Sequence, residues 1–292
     1  MNKRASKYCF LFLTSFALVS CESYIDDVKL PEFEKKLTIF GFLNPEDTIS
    51  YISVGVNQSL FGELSRQPLP GVVSGTISDG DREIIPWVTN NWLRFRNSDF
   101  PIGYGKTYKI KVSNDEGLNL EATCTIPEKR QFRMTADTFS VISPYMYPDR
   151  SGRSVDFNFR FTDIAGEKNF YRVLAKARTY YTNPVNGKKF RNSTELGVDK
   201  DFISDAGKDG NEIISKTNYG MNYFFAGTYD SVFVTFFLLN TEESYFLYHN
   251  SLQKYTSGEN PFTEVTPVYS NVTGGLGVFT SYTIDSLVYR IK

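Results

Sequence analysis

The sequence predicts a mainly β protein: an N-terminal immunoglobulin-like β-sandwich over residues 36–127, then a second β-rich, sandwich-like domain over 128–292 with one amphipathic helix. Three observations predict it. Apolar and polar residues alternate with period two along many short segments, the pattern of half-buried strands. Phe, Tyr and Trp make up 16% of the chain, and such rings suit the pleated surface of a sheet. Gly, Asn and Asp clusters punctuate the segments at turn spacing.

Leu37–Leu43 opens the sandwich and stops at the turn-prone Asn44-Pro45-Glu46-Asp47. Ile49–Val56 follows, then Val72–Ser78, Arg82–Val88 and Trp92–Phe95. The clearest hairpin comes next. Tyr108, Ile110 and Val112 share one face, Lys109 and Lys111 the other, and Asn114-Asp115-Glu116-Gly117 turns the chain. Leu118, Leu120, Ala122, Cys124 and Ile126 then alternate with Asn119, Glu121, Thr123 and Thr125. That register places Cys124 on the buried face as a small, inert thiol. About seven short strands in this half match an immunoglobulin-like sandwich.

Pro127–Arg130 marks the expected boundary. Val155, Phe157, Phe159 and Phe161 alternate with polar residues, and Phe170–Tyr181 forms a longer strand with Arg172, Lys176 and Arg178 on one face. Asn183–Lys189 is a polar turn, and residues 190–228, rich in Asn, Gly and Asp, are expected to be irregular. Val232–Leu239 is apolar on both faces, as a central strand is. Thr241–Ser257 breaks the β rhythm. Tyr245, Tyr248, His249, Leu252 and Tyr255 recur at helical spacing, with Thr241 the expected N-cap and Gly258 the expected end. Val278–Ile284 and Leu287–Ile291 read as two closing strands.

Residues 1–20 read as an export signal. Lys3, Arg4 and Lys7 precede an apolar run, Tyr8–Val19, too short for a spanning helix of about 20 residues. Leu18-Val19-Ser20-Cys21 has the form of a bacterial lipobox. It implies diacylglycerol on the Cys21 thiol, cleavage before Cys21 and acylation of the new amino terminus. Acyl chains at about 0.8 kcal/mol per buried methylene hold such a protein on a membrane. Residues 21–35, charged, aperiodic and containing Pro31, read as a lipidated tether. Glu22, Asp26 and Asp27 resemble in part the acidic surface-export signal of Bacteroidota lipoproteins. As that resemblance implies, the expected location is the outer membrane, lipid-anchored, with the cell surface favoured over the periplasmic face.

Composition narrows the chemistry. Loss of three cations with the signal turns a net charge of −1 into about −4, which argues against a nucleic-acid partner. With Cys9 removed and Cys21 lipidated, Cys124 has no partner for a disulfide within the chain. His249 is the only histidine. A two-histidine metal site therefore cannot form, and a Ser-His-Asp triad would need His249 as its base. No G-x-S-x-G, C-x-x-C or P-loop motif is present. A pair of carboxylates remains the route to a surface hydrolase, and 33 Asp and Glu residues nominate no pair. The expectation is no enzyme, with no catalytic residue, metal or cofactor.

Three C-terminal stretches carry a resemblance. They are Asn260-Pro261-Phe262-Thr263-Glu264, Val268-Tyr269-Ser270-Asn271-Val272 and Gly274-Gly275-Leu276-Gly277-Val278-Phe279. Together they resemble the signature of a Bacteroidota lipoprotein family catalogued as domain of unknown function 4249. Tyr245 and Ser251 approximate the Tyr-to-Ser helix that precedes it, while Thr263-Glu264-Val265 departs from the family's Glu-Pro. In the first half, Leu37–Leu43, Pro70-Gly71-Val72 with Ile77–Gly80, and Gly105–Tyr108 with Gly117 and Ala122–Pro127 resemble the family's strand punctuation. Phe202–Asp205 with Gly210 resembles a mid-chain element.

The resemblance spans nearly all of residues 21–292. It implies an outer-membrane lipoprotein often encoded beside a TonB-dependent receptor, and it implies no activity, cofactor or site residue. Ser270, Asn271, Gly274, Gly275, Gly277 and Phe279 are read as structural, because glycines there permit positive φ or close backbone approach. The expected function is a non-catalytic accessory or ligand-binding partner of a TonB-dependent nutrient transporter. The alternative is a structural or adhesive surface lipoprotein. Tyr180, Tyr181, Tyr219, Tyr223, Phe224 and Phe225 are the candidate contacts for a glycan or peptide ligand or for the receptor, against the competing expectation that they fill the core. Asp47-Thr48-Ile49, Asp230-Ser231-Val232 and Asp285-Ser286-Leu287 resemble O-glycosylation acceptors of this phylum.

Overall fold

The computed structural model describes residues 33–58, 70–144, 151–221, 229–257 and 267–291, and Lys35–Lys292 forms one compact unit. It is mainly β, with one helix among the described residues and three sheets, none closed. The first half supplies β1 (Leu37–Leu43), β2 (Ile49–Val56), β3 (Val73–Ser78), β4 (Glu83–Ile84), β5 (Trp87–Thr89), β6 (Trp92–Arg96), β7 (Thr107–Asn114) and β8 (Asn119–Thr125). The second half supplies β9 (Met134–Pro144), β10 (Ser151–Thr162), β11 (Phe170–Thr182), β12 (Lys189–Leu196), β13 (Phe202–Ser204), β14 (Glu212–Met221) and β15 (Tyr229–Thr241). The helix α1 (Glu243–Ser257) and the strand β16 (Leu276–Arg290) complete the chain.

A nine-stranded sheet runs through both halves in the order β12-β11-β15-β16-β1-β2-β6-β5, with β13 paired to β11. Its continuity rests on β16. Residues 276–281 pair in parallel with β1, and residues 282–290 pair antiparallel with β15. A four-stranded sheet, β4-β3-β7-β8, packs on the first part of the large sheet, and a three-stranded sheet, β14-β10-β9, on the second. Each pair of layers encloses its own hydrophobic cluster. The first holds Leu37, Ile39, Ile52, Leu93, Tyr108 and Ile110. The second holds Phe157, Phe159, Phe161, Tyr171, Val234 and Phe236. Before the C-terminal strand, the first cluster ends at Ile126 and the second begins at Phe132. The large sheet crosses this boundary, and Phe279 of β16 lies in the first cluster.

Alternation explains most strands. In β7 and β8 the expected inward residues are buried, Cys124 among them, and burial raises its thiol well above the ordinary value. Four expectations are corrected. Residues 190–228 are not simply irregular, because they contain most of β12, all of β13 and all of β14. Arg82–Val88 is two strands in different sheets, β4 on β3 and β5 on β6. Pro86, which has no N–H to donate, lies between them. The two closing strands are one, β16. Thr241 ends β15. The carbonyl of Glu242 instead accepts the first helical bonds, from the N–H groups of Tyr245 and Phe246, so Glu242 caps the helix.

Phe236 stacks on Phe159 with ring centroids 4.9 Å apart and meets Phe157 edge-on at 5.6 Å. Phe236→Ala is expected to cost about 3–5 kcal/mol, read as a lowered urea midpoint with an unchanged slope.

Candidate functional site

Among the expected contact residues, Tyr180, Tyr181 and Tyr219 are described, whereas Tyr223, Phe224, Phe225 and the lipidation residue Cys21 lie outside the described residues. Tyr180 meets Phe233 edge-on at 6.1 Å. Tyr181 stacks on Phe190 at 5.0 Å. Tyr219 packs against the second core cluster. Each of the three thus has a partner within the chain.

The motif from Ser270 to Phe279 forms the seam between β8 and β1. Thr273 exchanges both backbone hydrogen bonds with Glu121 of β8. Asn271 then clasps the strand it precedes: its Oδ1 accepts from the Phe279 N–H at 3.0 Å, and its Nδ2 donates to the Phe279 carbonyl at 2.8 Å. The Ser270 hydroxyl accepts from the Val272 N–H at 3.3 Å. Three glycines leave no room for a side chain, and a Cβ on Gly274, at φ +76°, would stand 2.8 Å from the Asn119 carbonyl oxygen. A Cβ on Gly275 would stand 2.7 Å from the Leu37 carbonyl oxygen and 2.8 Å from the Leu120 side chain. Gly277, at φ +110°, would drive a Cβ into the Ile39 carbonyl.

Just beyond this seam, Glu242 gathers three elements. Its Oε1 accepts from the Thr125 N–H of β8 at 3.0 Å. Its Oε2 accepts from Ser244 of α1 at 2.9 Å and from Thr280 of β16 at 3.1 Å. Desolvation raises its carboxyl above the usual range, and these donors oppose the rise. Nothing in the local sequence marks Glu242, because its partners lie on distant strands.

The helix face holds His249 in an aromatic box. Phe202 stacks on it at 5.3 Å, Tyr245 lies at 4.4 Å, and Tyr248 and Phe42 close the sides at 5.2 and 5.5 Å. Arg172 lies over the other ring of the stack, 4.8 Å from the Phe202 centroid. It is itself tied to Asp201 at 3.0 Å and to the Tyr245 hydroxyl at 2.8 Å. Burial, aided by the Arg172 charge, lowers His249 to about 4. The imidazole is therefore neutral at ordinary pH and serves as a packed ring.

Two further features can hold polar groups. A cleft of about 730 Å³ opens between the β1–β2 turn, the connection 128–132 and β15–β16. Glu46, Tyr104, Lys129, Gln131, Thr283 and Asp285 contribute to its lining. The Lys129 ammonium sits 5.3 Å from the Tyr104 ring centroid and 3.8 Å from Glu46. The described lining contains no His or Cys, so a histidine-activated nucleophile is not assembled there. Its mixed charges, hydroxyls and the rings of Tyr104, Phe132 and Phe237 suit a polar ligand held by hydrogen bonds and ring contacts. These residues come from separate segments, which is why no motif announced the cleft.

Asp163, Asp205 and Asp209 bring carboxylate oxygens within 4.8 Å of one another. Each already fastens the chain. Asp163 accepts from the Tyr171 hydroxyl at 2.6 Å and the Gly210 N–H at 2.9 Å. Asp205 accepts from the Asn169 N–H at 2.8 Å, and Asp209 from the Gly166 N–H at 2.7 Å.

Gly277→Ala is expected to prevent the β1–β16 pairing, so that the protein either fails to accumulate or loses at least about 3 kcal/mol in chemical denaturation. The pH response of His249 is a second expectation. Its folded value of about 4 lies below the usual 6.5. Between those values the unfolded chain binds a proton that the folded protein refuses. Stability therefore falls as pH drops through this window, by up to about 3 kcal/mol, and this contribution is constant below it. The difference in stability between wild type and His249→Phe, measured across pH 7 to 4, isolates that slope from the opposing effect of Glu242.

A search of curated proteins finds no match to the chain. A family model described as a domain of unknown function, DUF4249, matches residues 25–287. With nearly the whole described β unit inside that match, the chain belongs to the DUF4249 family.

Proposed function

We propose that this protein is a non-catalytic, lipid-anchored lipoprotein of the outer membrane that acts as an accessory or ligand-binding partner of a TonB-dependent nutrient transporter. The observation that carries the reading is the sequence up to Cys21, a short cationic and apolar leader ending in Leu-Val-Ser-Cys. The resemblance of the C-terminal motif to lipoproteins often encoded beside such receptors supports the transporter link. The cleft supports a binding role, because it offers hydrogen-bonding groups and aromatic rings on a β scaffold. The acidic residues Glu22, Asp26 and Asp27, which resemble in part a surface-export signal, support the cell-surface face.

Anchoring is tested by metabolic labelling with an alkyne analogue of palmitate. Wild type is expected to label and to fractionate with outer membranes; Cys21→Ala is expected to lose the label and leave the membrane fraction. Labelling that survives Cys21→Ala contradicts the anchor. The transporter link is tested by gentle detergent extraction and capture through a C-terminal tag. Stoichiometric recovery of a TonB-dependent receptor is the expected result. Recovery of the lipoprotein alone, where other receptor complexes survive, contradicts the link and favours a structural or adhesive role.

A further inference from the structure

The helix α1 covers only part of the outer face of the large sheet. Phe40 and Phe42 of β1 lie under Tyr245, Tyr248 and His249. Beyond β1 the same face of β2, β6 and β5 has no covering layer among the described residues. Register places Tyr51 beside Arg94 and Arg94 beside Trp87 in one row. Ser53, Trp92 and Thr89 form the next row, and Arg96 lies opposite Ile49.

This face is aromatic and cationic. Tyr51, Trp87 and Trp92 are 46%, 41% and 39% exposed. The Arg94 guanidinium sits 5.3 Å from the Tyr51 centroid, and that of Arg96 sits 5.8 Å from the Trp87 centroid. Neither arginine has a carboxylate in ion-pair reach among the described residues. Arg94 Nε is the single buried side-chain polar atom there with no hydrogen-bond partner.

We infer that this face binds an acidic oligosaccharide, a chain of uronic acids. Rings laid along a sheet accept the C–H faces of pyranoses, and each guanidinium that stacks on a ring keeps its N–H fork for a carboxylate. Two observations select this occupant. The uncovered face is about 14 Å by 17 Å, roughly 240 Å² from strand spacing and rise. That is well below the ~800 Å² per partner of a stable protein interface, and it suits a few sugar units. Each ring is more than half covered, so none projects as a membrane-inserting side chain does. The inference names a ligand class for the binding role proposed above. Its failure with a receptor still recovered would remove the glycan site and leave the transporter link standing.

Both tryptophans of the chain, Trp87 and Trp92, lie on this face, so intrinsic tryptophan fluorescence reads it directly. The full-length protein in mild detergent is titrated with tetragalacturonate and with a mannuronate tetramer, against cellotetraose as the neutral control. A saturable change is expected with at least one uronate, at a midpoint tenfold or more below that for cellotetraose, and it weakens as salt rises. Arg96→Gln, an exposed change that leaves the core intact, is expected to raise that midpoint about tenfold, and Arg94→Gln with Arg96→Gln further. The inference is overturned by no saturable change with either uronate, by an equal response to cellotetraose, or by an unaltered midpoint in both variants. Silence towards the uronates with a blue shift on phosphatidylglycerol vesicles, in Cys21→Ala protein lacking the anchor, would make the face a membrane contact and equally overturn it.

Discussion

A single strand with two successive partners is the constraint on which this molecule depends. Backbone N–H and C=O groups inside a sheet must all be paired, and β16 meets that demand by pairing with β1 along residues 276–281 and with β15 along 282–290. The first pairing is parallel and the second antiparallel, so the strand joins hairpin-built halves without a turn of its own. Close approach to β1 is possible because Gly275 and Gly277 carry no Cβ, and the Asn271 clasp aligns the strand before it enters. Phe279 then fills the first core while Leu287 and Tyr289 pack against the second.

The other features of interest follow from that strap. Buried Thr280 and Ser281 turn their hydroxyls to Glu242 and to the Thr125 carbonyl, which seats the helix over the junction. Helix α1 then boxes His249 between rings from β1 and β13. On another side of the junction Thr283 and Asp285 of the same strand line the cleft. The binding role proposed above draws on this scaffold, since a fixed β framework lowers the entropy lost on binding.

Legibility in the sequence followed burial pattern. Strands with one apolar face, such as Val155–Phe161 and both arms of the β7–β8 hairpin, were plain because alternation records burial. Strand β12 was not, since Lys189–Leu196 is exposed along almost its whole length and no face selects apolar residues. Strand β14 was hidden for a different reason. Ser215 and Thr217 occupy buried positions and are satisfied by Asp199, Lys200 and Gly197, so hydroxyls stand where alternation would show hydrocarbon. Asp285 and Ser286 similarly split β16 into two apparent strands. The aromatic face lies on β2 and β6, which alternation marks, and on β5, which the sequence merges with β4; the three become neighbours only in the folded sheet. The C-terminal glycine motif was visible as punctuation; the strands it joins were not.

The direct test of the account is whether the two halves unfold together. Trp87 and Trp92 report on the first half alone, while far-UV circular dichroism reports on strands throughout. Urea unfolding followed by both signals is predicted to give coincident transitions, because breaking β16 from either partner exposes both cores. Two separated midpoints would contradict the account, showing that β16 does not bind the halves into one cooperative unit.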